Sequence, residues 1–76
     1  MHAVFVVMMS AGTLTAELRG HQWVVRDRIG ETVAWIAPAS KLWWVSFFDT
    51  ANGEAPGPFV SAREALDALA SRANVT

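Results

Sequence analysis

The segment Lys41-Leu42-Trp43-Trp44-Val45-Ser46-Phe47-Phe48 is the most aromatic part of this chain. In a strand, successive side chains point to opposite faces, so Trp43, Val45 and Phe47 share one face. The other face carries Leu42, Trp44, Ser46 and Phe48. Because both faces are apolar, the segment is predicted to be a central strand that is covered on both sides.

The composition indicates one small domain that is unusually apolar for its size. The chain has 76 residues, of which 53% are hydrophobic and 17% are charged, with four Trp, four Phe and no cysteine. Without cysteine, neither a disulfide nor a thiolate metal site can supplement the small core. A domain of this length has little interior, so we expect part of the apolar surface to form an interface.

Two further strands are predicted upstream of the aromatic segment. Residues 22–27 and 32–37 are rich in β-branched and aromatic residues, as strands are, and the intervening residues 28–31 contain Gly30, which is typical of a turn. In the first strand Trp23 and Val25 share one face, opposite Val24 and Arg26, and in the second Val33 and Trp35 lie opposite Ala34 and Ile36. Pro38 is expected to end the second of these strands. Together with the aromatic segment they form a three-stranded meander over residues 22–48.

The N-terminal part of the chain leaves alternatives open. Residues 3–9 form a continuous apolar run, and residues 13–18 alternate weakly, so a strand pair joined through residues 10–12 is expected. The alternatives for residues 1–12 are an extension of the domain or a cleaved signal peptide. The n-region carries His2 but no Lys or Arg, which argues against a signal peptide.

The C-terminal part is predicted to be a loop followed by a helix. Residues 49–58 contain Asn-Gly and Pro-Gly-Pro, which are typical of turns. Ser61 and Glu64 match a capping box, Val60 is placed to pack on Ala65 as a hydrophobic staple, and small apolar residues recur at helical spacing through residues 61–73. The predicted fold class is therefore α+β, an antiparallel meander sheet of three to five strands with one C-terminal helix across one face.

The sequence carries no signature of a catalytic, metal or cofactor site. His2 and His21 lie far apart, and the carboxylates are concentrated in predicted turns and loops. The glycines form no phosphate-binding pattern, and no ligand set has metal-site spacing. We therefore expect a protein that is not an enzyme and that needs no cofactor.

The aromatic residues give the main functional hypothesis. If Trp23, Trp35 and Trp43 face the helix, the opposite face of the sheet is too apolar to remain in contact with water. The residues then predicted to bind protein are Val24, Ile36, Leu42, Trp44 and Phe48. If the opposite face packs against the helix instead, these five residues form the core, and Trp23, Trp35 and Trp43 become the residues predicted to bind protein. The expected partner is a second copy of the chain, forming a homodimer, or a larger protein target.

A nucleic-acid-binding sheet is the alternative function. The order of elements from Gln22 to Arg72, with Trp residues in the strands and Gly57-Pro58-Phe59-Val60-Ser61 leading into the helix, is similar in outline to AP2-like and integrase arm-binding domains. That resemblance implies insertion of the sheet into the DNA major groove. The residues that would contact nucleic acid are Arg26, Arg28 and Lys41.

The charge of the chain favours protein over nucleic acid as the partner. Six Lys and Arg residues against seven Asp and Glu residues give a net charge of −1, which does not attract nucleic acid or an anionic membrane. The apolar N-terminal run is too short to span a bilayer. We expect a cytoplasmic protein that acts as a small regulator or inhibitor, for example one encoded by a phage against a host enzyme.

Overall fold

The computed structural model describes residues 6–73, which form a five-stranded antiparallel sheet and one helix. The strands follow one another in space in chain order, and the C-terminal helix packs on one face of the sheet. The elements are β1 (Met8–Ala11), β2 (Leu14–Arg19), β3 (Gln22–Arg26), β4 (Thr32–Ala39), β5 (Leu42–Phe47) and α1 (Ala62–Ala73). The predicted α+β fold class is confirmed.

Three of the four strand connections are two-residue turns. The closing pairs are Ala11 with Leu14, Arg19 with Gln22, and Ala39 with Leu42. Two-residue hairpin turns need positive φ, which glycine adopts without strain. Gly12 and Gly20 supply it in the first two turns, whereas Ser40 and Lys41 adopt φ values of 53° and 66° in the third.

The connection between β3 and β4 is longer and is organised by one carboxylate. The Asp27 carboxylate accepts hydrogen bonds from the amides of Ile29 and Glu31, both at 3.0 Å. In the adjoining ladder, Val25 pairs with Ala34 but Arg26 pairs with Thr32, so Val33 is an extra residue in β4. This bulge and the turn together set the register of β4 against β3.

The core lies between α1 and the inner face of the sheet, which is the face that α1 covers. From the helix it includes Ala62, Ala65, Leu66, Leu69 and Ala70, and from the sheet Leu14, Ala16, Val25, Ala34, Ile36 and Val45. The small helix residues let α1 approach the sheet closely. At the start of the helix, the Ser61 hydroxyl accepts a hydrogen bond from the Glu64 amide at 3.1 Å, as expected for an N-cap. Val60 is 71% exposed, so the expected staple with Ala65 does not form.

The first strand lies later in the chain than predicted. β1 begins at Met8, and Ser10 and Ala11 belong to the strand rather than to the turn, which consists of Gly12 and Thr13. The earlier part of the predicted strand, residues 3–5, lies outside the described residues, as does His2. The guanidinium of Arg63 on α1 donates a hydrogen bond of 2.8 Å to the Ser10 carbonyl and ties β1 to the helix.

Pro38 does not end β4, because the strand continues to Ala39. Pro38 pairs with Trp43, whose N–H and C=O are both bonded to Phe59 on the opposite side. In an antiparallel ladder, a residue whose N–H and C=O both bond to one neighbouring strand makes no backbone hydrogen bond to the strand on its other side. Trp43 therefore makes none to Pro38, and the missing N–H of Pro38 removes no hydrogen bond between β4 and β5.

The aromatic segment forms an edge strand, so the prediction of a central strand was wrong. β5 is the last strand of the sheet, and beyond it Phe59 forms an isolated antiparallel bridge with Trp43. The two bridge hydrogen bonds measure 2.8 and 2.9 Å. Phe59 therefore covers one end of the exposed edge of β5.

Candidate protein-binding face

The sheet face opposite α1, here called the outer face, is covered by no element among residues 6–73. Alternation and register place Val24, Trp35, Leu42 and Trp44 on this face, and Phe48 follows β5 on the same side. These five residues are called the aromatic face below. Four of them belong to the set predicted to bind protein, but one of these, Val24, is buried, with 9% exposure.

Ile36 is the exception, and its predicted placement was wrong. It pairs with Trp23 on one side and Val45 on the other, points toward α1 and is fully buried. Trp35 takes the position on the outer face, so Trp23 and Trp35 do not share a face. Trp23 and Trp43 lie on the inner face and pack against the core, as expected.

The aromatic face is centred on Trp35. Its cross-strand neighbours are Val24 on β3 and Ser46 on β5. Trp44 and Phe48 lie two residues to either side of Ser46, so both are diagonal neighbours of Trp35. Diagonal neighbours are within reach of aromatic side chains. The Trp35 and Phe48 ring centroids are 5.8 Å apart at an interplanar angle of 42°.

Two of the three outer aromatic rings remain accessible to solvent. Trp44 is 44% exposed and Phe48 is 66% exposed, while Trp35 is half-buried between them. The indole N–H of Trp44 donates a hydrogen bond of 3.0 Å to the Ala39 carbonyl, which fixes the ring against the strand end. A ring held in one orientation loses little side-chain entropy when a partner covers it.

A charged cluster borders the aromatic face on the side of β2. Glu17 lies directly opposite Val24 and accepts hydrogen bonds from Arg19 at 2.7 Å and Arg26 at 3.3 Å. The hydrogen bonds from these two guanidinium groups lower the pKa of Glu17 below its usual range. Glu17 therefore stays ionised at neutral pH and gives the aromatic face a polar border.

The two ends of the sheet carry opposite charge. In a meander, alternate turns lie at the same end, so Arg19 and Lys41 lie at the end near Trp44. The opposite end, near Phe48, carries two cationic and three acidic residues: Arg26, Asp27, Arg28, Glu31 and Asp49. The aromatic row from Trp44 to Phe48 thus runs from a positive end to a negative end.

The three cationic residues of the alternative nucleic-acid hypothesis are dispersed. Arg26 lies on the outer face and is bonded to Glu17, while Arg28 and Lys41 lie in turns at opposite ends of β4. The eight residues of β4 separate those two turns by about 26 Å. Nucleic-acid binding by these residues stays a prediction, as does protein binding by the aromatic face.

A shallow cavity adjoins the aromatic face at its acidic end. Its volume is about 490 Å³, and its lining includes Phe48 with Glu31 and Asp49. The Asp49 carboxylate accepts a hydrogen bond of 2.9 Å from the Ala51 amide and so caps a short 3-10 helix. Among residues 6–73, no three His, Asp or Glu side chains are grouped so that they would hold a metal ion.

Comparisons of the chain with protein-family models, with curated proteins and with solved structures found no match. Within the described part of the chain, no helix has the length and apolar character needed to cross a membrane.

Proposed function

We propose that this chain is a small protein-binding domain that acts through its aromatic face. The observation that carries the proposal is the row of three aromatic rings on the outer face of the sheet. Two of these rings, Trp44 and Phe48, are 44% and 66% exposed. A continuous exposed apolar patch of this kind on a small domain is typical of an interaction site.

The surroundings of the aromatic face also fit a protein interface. Such interfaces have an aromatic centre with a polar rim, and Trp is enriched among the residues that contribute most to binding. Here Trp35 lies at the centre, and Glu17, Arg19 and Arg26 form a charged border. The indole–carbonyl hydrogen bond of Trp44 holds one of the anchoring rings in place before a partner binds.

The chain is proposed to act by binding rather than by catalysis, as a cytoplasmic regulator or inhibitor of a larger protein or as part of a homo-oligomer. A domain of this kind needs no cofactor, because its affinity comes from burial of the aromatic rings. Burial of Trp44 and Phe48 at the centre of an interface would make each a major contributor, worth roughly 2 kcal/mol.

The test compares the wild type with the Trp44→Ser and Phe48→Ser variants, singly and combined. Self-association is measured by light scattering, and capture of other proteins is measured by quantitative pull-down. Each single substitution is expected to weaken binding by about 30-fold, because it removes an aromatic anchor from the interface.

The matched control is Val60→Ser, which removes an exposed apolar side chain that is not part of the aromatic face. Val60 is 71% exposed, more than either aromatic target. Binding by this variant is expected to equal that of the wild type. Equal losses in the control and in the aromatic variants would contradict a specific site, as would a wild type that binds no protein.

A further inference from the structure

We infer that the partner of the aromatic face is a second copy of this chain, packed face to face with its strands antiparallel to those of the first. This inference rests on the proposed protein-binding function and adds the identity of the partner and its orientation. It follows from the positions of the rings along β5 and of the charges at the two ends of the sheet. When one copy is reversed on the other, rings face rings and charges of opposite sign face each other.

The aromatic row is symmetric about its centre. Trp44 and Phe48 are two residues from Ser46 in opposite directions, which places each about 6.6 Å along the strand from the Trp35–Ser46 row. A two-fold axis that lies along this row, in the plane between two sheets, places Trp44 of one copy opposite the partner's Phe48. The two Trp35 rings then lie at the centre of the interface.

The same axis brings together charges of opposite sign. Lys41, in the turn between β4 and β5, is placed over the partner's Glu31 and Asp49, which lie at the opposite end of the same two strands. Because the axis is two-fold, this pairing occurs twice in each dimer. Parallel packing of the same faces would instead put like charges together at both ends, which disfavours it.

The charges near the axis oppose this packing only weakly. Glu17 lies on the same row as Trp35, two strands away, so the two copies of Glu17 approach each other. Each is bonded to Arg19 and Arg26, so each cluster presents a net positive charge rather than a bare carboxylate. At about 10 Å, the usual separation of packed sheets, water and salt screen their mutual repulsion.

The outer face is close to the size that such a dimer needs. Five strands at about 4.8 Å spacing and six residues at about 3.3 Å rise give a footprint of roughly 480 Å² in each copy. The two footprints together approach the roughly 1,000 Å² expected of a specific interface.

The test uses two charge reversals and their combination, measured as solution mass over a concentration series. Lys41 and Glu31 are both exposed, and neither side chain forms a hydrogen bond or ion pair within residues 6–73. The wild type is expected to be a dimer. Lys41→Glu and Glu31→Lys are each expected to raise the dissociation constant at least about tenfold, because each places like charges together twice.

The double variant K41E/E31K restores opposite charges across the interface and is expected to recover most of the wild-type affinity. A control, Glu64→Lys, reverses a charge on the helix side, where the exposed Glu64 side chain makes no hydrogen bond or ion pair within residues 6–73, and is expected to leave the dimer intact. Unchanged thermal unfolding of the single variants at concentrations where all are monomeric would show that the substitutions act on association.

Four results would overturn the inference. A dimer that both single variants leave intact, or a double variant no tighter than the singles, would exclude the antiparallel arrangement. A monomeric wild type that still captures another protein through Trp44 and Phe48 would exclude a second copy as the partner but leave the proposed function standing. A monomeric wild type that captures no other protein would exclude both the inferred dimer and the proposed function.

Discussion

At the scale of single residues, the clearest departure from local preference is the turn between β4 and β5. Ser40 has a φ of 53°, a left-handed conformation that costs a non-glycine residue about 1 kcal/mol or more. We expect Ser40→Gly to stabilise the protein by about 0.5–1 kcal/mol, after the entropy that glycine loses on folding is taken into account. Urea denaturation should show a higher midpoint with an unchanged slope.

The control for this substitution is Arg28→Gly in the turn between β3 and β4. Among the described non-glycine residues only Ser40 and Lys41 have positive φ, so glycine relieves no strain at Arg28. Arg28→Gly is therefore expected to destabilise the protein slightly. If both glycine variants shift the midpoint in the same direction, strain at Ser40 is not the cause.

At the scale of elements, Arg72 connects three parts of the fold. Its guanidinium lies 4.9 Å from the centroid of the Phe47 ring and donates hydrogen bonds to the carbonyls of Asn52 and Glu54. Arg72→Ala is expected to cost about 1–2 kcal/mol, because these contacts hold the loop after β5 against the end of α1. Urea denaturation gives the loss, and faster amide exchange at Gly53 would locate it.

Lysine at position 72 keeps the charge but cannot bond two carbonyls through a planar fork. Arg72→Lys is therefore expected to recover only part of the stability. Arg28 is the matched control, since its exposed side chain makes no hydrogen bond within residues 6–73. An Arg28→Ala variant as unstable as Arg72→Ala would contradict the role assigned to Arg72.

Residue type and spacing identified the elements of this fold because each depends on local sequence. The β-branched and aromatic content of residues 22–27 and 32–37 and the N-cap at Ser61 depend on the chemistry of a few neighbouring residues. The prediction that Pro38 ends β4 was wrong because the effect of a proline depends on which neighbouring strand its N–H would face. In this sheet that direction follows from the hydrogen bonds between Trp43 and Phe59, which the sequence does not reveal.

The candidate site was harder to predict, because alternation shows which residues of one strand share a face but not which face that is. The choice between Trp35 and Ile36 depends on the register of β4 against β3, which the turn after Asp27 and the extra residue Val33 set. Within β5 no such ambiguity arises, so Trp44 and Phe48 were placed together from the sequence. The opposite charges at the ends of the sheet emerged only from the observed order of the strands.

At the scale of the whole molecule, the core and the proposed binding site lie on opposite faces of one sheet. Leu66 is fully buried between α1 and the inner face, so Leu66→Ala is expected to cost about 2–5 kcal/mol. A domain of this size has only about 4–11 kcal/mol to lose, so a substantial fraction of this variant is expected to unfold at moderate urea concentrations. Trp44→Ser, on the outer face, is expected to cost far less stability while it weakens association by about 30-fold.

Leu18→Ala provides the matched comparison, because Leu18 is 36% exposed and its truncation leaves a smaller cavity than truncation of Leu66. Urea denaturation at low protein concentration measures all three variants without a contribution from association. At higher concentration the wild-type midpoint should rise, since a partner that binds only the native state stabilises it, whereas the Trp44→Ser midpoint should not. A concentration-independent wild-type midpoint would mean that the outer face does not bind a second copy, and a large loss of stability in Trp44→Ser would mean that the two faces are not separable.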